Sequence, residues 1–274
     1  MVDDSHDIRL VIASVEGTIL APDGTLTART RAAVRRLADA GIAFTLVTSR
    51  PPERLRPLVD ALELDAPMAA LGGSVMVRPD LSAIVDYPID RRGAETALAA
   101  LAASGVDVWV YTADQWLVRS ASGPRVDREA AIVGIDPVVV ETFDTVLPRV
   151  VRIVGVSDDP AVVIRTLREV QRRCGSGVLV TSDDAHTVVI SDPNGHSGEV
   201  VVAMADAFDV PIDHVAAIGS GPADVPMLTL CGLGVALGNA RSDVRKSAAR
   251  VAPSNADEGF ATTVEQFVLG AELV

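Results

Sequence analysis

Both ends of this chain alternate short runs that are apolar on every residue with segments of helical pattern, and nothing else in the sequence confines the fold as tightly. Arg9–Ser14 (RLVIAS) reads as a buried strand, and Pro22-Asp23-Gly24 as a turn. Thr27 then reads as the N-cap of a helix running to about Ala40, with Gly41 as its left-handed stop. Ala43–Thr48 is the next strand, and Pro51 stands where a new helix would begin. Near the other end come His214–Gly219, a helix around Ala223–Leu230, then Gly234–Leu237 and Arg250–Ala252. Strands apolar on both faces and separated by helices predict a parallel sheet covered on both sides.

The middle of the chain follows another rule. Asp107–Tyr111 alternates, and Trp116–Arg119 follows after a short turn. Val150–Val156 and Val178–Thr181 add strands, with helices near Ala94–Ala103 and Ala161–Arg173, the second capped by Asp158 or Asp159 ahead of Pro160. Half-polar strands among helices predict a smaller α/β domain with one exposed sheet face. It is placed at 84–187, inserted in a first domain made of 1–83 and 188–274. The whole is an α/β fold, a Rossmann-like core with an inserted α/β cap.

Bulk properties exclude several functions. No apolar run approaches the roughly 18–20 residues that cross a bilayer, and the acidic start MVDDSHD lacks the chemistry of a leader, so it reads as a loose tail on a cytoplasmic protein. A net charge of −13 leaves no basic surface for nucleic acid or anionic membrane. Aromatics at 3% give no base-stacking platform. Cys174 and Cys231 lack metal-ligand spacing and read as buried free thiols. Lys246 is the single lysine of the chain.

Ligands meet an open parallel sheet at the carboxyl ends of its strands. Three such ends draw attention: Ser14–Leu20 (SVEGTIL), Thr48-Ser49-Arg50, and Gly219–Leu228 (GSGPADVPML). Singly, each also serves as an ordinary turn. In this order they resemble the haloacid dehalogenase (HAD) superfamily, specifically its Cof-type, subclass IIB phosphatases with a large inserted cap. That family's motifs read Asp-x-Asp-Gly-Thr-Leu-Leu, Thr-Gly-Arg and Gly-Asp-Gly-x-Asn-Asp-x-x-Met-Leu. Gly234–Ala240 and Ser254–Gly259 resemble its tail signatures, so the likeness covers nearly the whole chain.

The resemblance implies an aspartyl-phosphate mechanism with Mg²⁺, a second Asp as acid/base and a Lys against the phosphate. At the matching positions stand Ser14 as nucleophile, Glu16 as acid/base, Thr48, and Ser197 for the Lys, unless a one-residue shift gives that place to His196. The metal positions are Ser14, Glu16, Ser220 and Asp224, with Ala223 replacing Asn. The substrate or anion positions are Thr48, Ser49, Arg50 and Gly73, the last within Gly72-Gly73-Ser74. Plainer roles compete: Ser197 as a helix N-cap, Asp224 in a first helical turn, Thr48 on strand-end backbone, and His196 as a loop residue. Trp109, Tyr111 and Trp116 read either as a cap surface facing the site or as core.

A hydroxyl nucleophile with no base, together with a lost lysine and a lost metal carboxylate, predicts a pseudophosphatase that binds a small phosphorylated metabolite or a protein partner and needs no cofactor. The alternative is an active Mg²⁺-dependent phosphatase on sugar phosphates, using a non-standard nucleophile or water with Glu16 or Asp224 as base. A third possibility is a subunit of a larger assembly; otherwise the chain is a monomer or homodimer.

Overall fold

The computed structural model describes residues 7–270, so the expected loose tail lies, except for Asp7, outside the described residues. The first domain is built on a sheet of eight strands, which in chain order are β1 Leu10–Ser14, β2 Ala43–Val47, β3 Met68–Ala70, β4 Val75–Val77 and β5 Ala83–Asp86. The cap supplies β6 Asp107–Tyr111, β7 Trp116–Val118, β8 Val138–Val139, β9 Arg152–Val156, β10 Leu179–Thr181 and β11 Thr187–Ser191. β12 Val215–Gly219, β13 Leu233–Leu237 and β14 Arg250–Ala252 complete the first sheet.

That first sheet runs β14-β13-β12-β1-β2-β3-β4-β5. Its pairs are parallel from β14 to β3, as the apolar runs predict, while β4 and β5 extend it antiparallel. The main helices, again in chain order, are α1 Ala28–Asp39, α2 Arg56–Leu62, α3 Arg91–Ser104, α4 Val126–Val133, α5 Pro160–Cys174, α6 Ser197–Ala207 and α7 Val225–Leu230. Alternation along β1 divides the core: Val11 and Ala13 pack with α1 and α2, whereas Leu10 and Ile12 pack with α6 and α7. Thr27 caps α1 as predicted, accepting from Thr30 N at 3.1 Å, and Asp159 caps α5 through Ala161 N at 2.8 Å.

The second sheet runs β10-β11-β9-β6-β7-β8. The boundaries expected at 84 and 187 fall inside or beside strands: β5 closes the first sheet, and β11 lies within the second, between β10 and β9. One face of the cap sheet packs Val110, Ile153 and Ile190 under α3 and α5. The other face is not exposed, contrary to expectation. Trp109, Tyr111, Trp116 and Val154 join Val126 and Val133 of α4 and Leu55 and Leu71 of the first domain in one apolar cluster. The aromatic trio is therefore core and cap surface at once, each ring under 5% exposed, with Tyr111 stacked on Trp116 and Trp109 edge-on to it. Among the described residues no helix is long and apolar enough to cross a membrane.

Candidate active site

β1 and β12 are adjacent and parallel, which brings Ser14 and the loop after Gly219 together across 210 residues of sequence. Ser14 is 7% exposed, and its Oγ donates to Asp224 Oδ2 at 2.9 Å. The same Oδ2 accepts from Ser220 N and Gly221 N, both at 2.8 Å, so Asp224 also ties the turn that begins α7. Thr18 Oγ1 lies 2.7 Å from Ser14 Oγ and 3.1 Å from Ser220 Oγ, and Ser220 Oγ in turn donates to the Glu16 carbonyl at 3.3 Å. Gly17 makes this packing possible at φ +67°, because a Cβ there would sit 2.8 Å from Ser220 Oγ.

Burial pushes the Asp224 carboxyl up to about 6, outweighing the hydrogen bonds from Gly221, Ser220 and Ser14 that favour its charged form. Asp224 lies in the short helical turn Pro222–Asp224 just ahead of α7 and also lines the cavity at Ser14.

Glu16 turns the other way. Its Oε1 lies 2.6 Å from Arg50 Nε, an ion contact whose angle makes no hydrogen bond, and Thr48 Oγ1 donates to its carboxylate at 3.0–3.1 Å. Ser49 N approaches the same carboxylate at 3.4 Å. Thr48 also accepts from Arg50 N, so it does serve the strand-end backbone.

Two sequence assignments need correction. His196, not Ser197, is the N-cap of α6: its ring Nδ1 accepts from Gly198 N at 3.0 Å. Ser197 is the first helical residue, lines the cavity beside Ser14, and donates to the Ala223 carbonyl at 2.6 Å. Of the two residues that could match the family's lysine, only Ser197 lines this cavity, and its neutral hydroxyl is already in use. Gly73 does not reach the cavity. At φ +109° it packs on the His196 backbone, and Gly72 takes the lining position instead.

The cavity at Ser14 holds about 150 Å³ and is lined also by Glu16, Thr48, Ser49 and, from the cap, Arg152 and Asp183. A second chamber of about 190 Å³ adjoins it through Ser49, Arg152 and Asp183, with Arg50, Trp109, Tyr111 and Glu129 in its wall. Arg152 is 7% exposed and paired with Asp183. Its Nη1 lies where a Cβ on Gly72 would come within 2.8 Å, and Gly72 has φ +74°. Sequence reasoning singled out Trp109 and Tyr111 but missed Arg152, Asp183 and Glu129. The available signal was Arg152 itself, a lone charge in an otherwise apolar strand.

The donors present do not suit Mg²⁺, which asks for several hard carboxylate oxygens in near-octahedral array. Hydroxyls stand at 14 and 220, the Glu16 carboxylate faces Arg50, and the engaged oxygen of Asp224 is filled by N–H and O–H donors. Among the described residues no group of three or more His, Cys, Asp or Glu is placed to hold a metal.

A family model for haloacid dehalogenase-like hydrolases matches residues 11–264. The chain belongs to that family. The Bacillus subtilis 5-amino-6-(5-phospho-D-ribitylamino)uracil phosphatase YwtE is 22% identical over 288 residues, covering 96% of this chain and 99% of its own. Two solved HAD structures share the fold. BT1666 of Bacteroides thetaiotaomicron is 23% identical with a TM-score of 0.83, covering 98% of each chain. The subclass IIB sugar phosphatase BT4131 is 16% identical, also with a TM-score of 0.83, covering 95% of this chain and 99% of its own. The HAD-like architecture with an inserted cap, inferred from the motifs, is the architecture observed.

Proposed function

We propose that this HAD-family chain is catalytically silent and keeps its cap–core cleft as a binding pocket for a small molecule. One observation carries the reading: the Ser14 hydroxyl donates to Asp224, whose same oxygen also holds Ser220 N and Gly221 N. The residues at the family's nucleophile and metal positions thus satisfy one another. A carboxylate with a pKa of about 6 is far too weak a base to deprotonate an alcohol outright. Glu16, the position of the acid/base, is held by Arg50 and Thr48, and Ser197 brings no charge to the position of the lysine. Losing acid–base help alone costs about 10²–10⁴ in rate, and groups that act as a unit fail together.

The test is an assay of purified protein against a panel of phosphate esters with Mg²⁺ present. Rates equal to buffer are expected; turnover abolished by Glu16→Gln or Asp224→Asn overturns the reading.

A second reading, an active phosphatase on small phosphorylated metabolites, is favoured by the same 2.9 Å hydrogen bond, since a hydroxyl aimed at a carboxylate is also how a nucleophile is oriented. In that case Ser14→Ala would abolish turnover that the wild type displays.

A further inference from the structure

The two adjoining cavities are short of positive charge. Glu16, Asp183 and Asp224 line the first, and Glu129, Asp183 and Asp184 the second, against the guanidiniums of Arg50 and Arg152. Each guanidinium faces a carboxylate, Arg50 facing Glu16 at 2.6 Å and Arg152 paired with Asp183. Lys246 lines neither cavity. Among the described residues, a phosphate entering this cleft meets five carboxylates against two guanidiniums already facing carboxylates, whereas a cation is drawn in by a field that low-dielectric walls concentrate.

The walls favour an organic cation over a metal. No described group of three metal-type ligands exists here, but Trp109 and Tyr111 line the inner chamber, and aromatic faces attract ammonium groups. Trp109 is 3% exposed, and its buried Nε1 has no acceptor among the described residues. A buried donor without a partner is costly, and an oxygen of a bound molecule would relieve it. Glu129, on α4, accepts a long 3.5 Å hydrogen bond from the Tyr111 hydroxyl, and burial raises its carboxyl more than the charge of Arg152 lowers it. An ammonium beside Glu129 would restore what burial removed. Ser49 and Thr187 add hydroxyls to the same wall.

We infer that the cleft binds a small hydroxylated primary amine as its ammonium, with the charge at Glu129 and an oxygen toward Trp109, in place of a phosphorylated ligand. This rests on the metal-free reading above.

The experiment is calorimetric titration of the full chain, without Mg²⁺, using glucosamine, galactosamine and serinol as amines. Glucose, N-acetylglucosamine and inorganic phosphate are the controls. At least one amine should bind about tenfold or more tightly than its uncharged counterpart and than phosphate. Glu129→Gln should weaken that binding about tenfold. Asp183→Asn should weaken it too and, by freeing Arg152, let phosphate bind. Binding of none of the amines, phosphate binding at least as tight as the amines, or a folded Glu129→Gln protein with unchanged affinity would each overturn the inference. The comparison of charged with uncharged ligands needs no variant to fold. Phosphate binding without ester turnover would sink the ligand class alone, whereas ester turnover with Mg²⁺ would sink the metal-free reading beneath it.

Discussion

The floor and the roof of the cleft solve the same problem differently. On the floor, Ser14, Thr18, Ser220 and Asp224 form a buried circuit in which hydroxyl and amide donors converge on one carboxylate oxygen. On the roof, buried Trp109 Nε1 has no acceptor among the described residues, and Glu129 has one long hydrogen bond, from Tyr111. A polar network that is closed on itself stabilises its own loops and has no use for a ligand. One left open has binding capacity to spare. On the binding reading proposed above, ligand recognition lies on the cap side of the cleft.

The sharpest way to break the contrast is to reopen the floor. Ser14→Asp, Glu16→Asp, Ser197→Lys and Ser220→Asp together should raise Mg²⁺-dependent phosphate release at least about a hundredfold over the wild type. A folded variant with no gain would mean that the loops themselves have drifted.

Next comes pH. The Asp224 carboxyl holds its proton more tightly folded, at about 6, than unfolded, at 3.8, so its contribution is greatest below about pH 4 and is lost as pH rises to about 6. The full change corresponds to about 3 kcal/mol. Chemical denaturation across that interval should show stability falling with rising pH, and in Asp224→Asn this part of the slope should vanish. An unaltered slope would mean that Asp224 is hydrated and titrates normally.

Where the first domain meets the roof, Gly72→Ala forces a side chain into φ +74° and against Arg152 Nη1, and should cost about 1–2 kcal/mol while disturbing the Arg152–Asp183 pair. Thr27→Ala, far from the cleft, removes an N-cap and should cost about 1 kcal/mol without altering any ligand titration. Denaturant midpoints read both.

Much of this was legible in the sequence, and the limits have physical causes. The fully apolar runs fixed the parallel strands because burial on both faces leaves no alternation to misread. Thr27 and Asp159 announced their helices, since capping is a local matter settled within three residues. The exchange of roles between His196 and Ser197 was not legible, because an imidazole Nδ1 can accept from a helix N-terminal amide as a hydroxyl can. α4 escaped because its apolar face, Val126 and Val133, spans only two turns. Without α4 the cap's inner face looked solvent-exposed, and Glu129 had no setting. The floor of the site was readable from motif order, whereas the roof depends on cap-to-core packing that no single segment encodes.

On the proposed reading, Asp224 is spent on Ser14, Ser220 N and Gly221 N instead of on a divalent cation. Calorimetric titration of the purified wild-type chain with Mg²⁺ tests it most directly, with the fourfold variant as the positive comparison. No saturable heat is expected in the wild type, and one site per chain in the variant. Stoichiometric Mg²⁺ binding by the wild type that disappears in Asp224→Asn would contradict it.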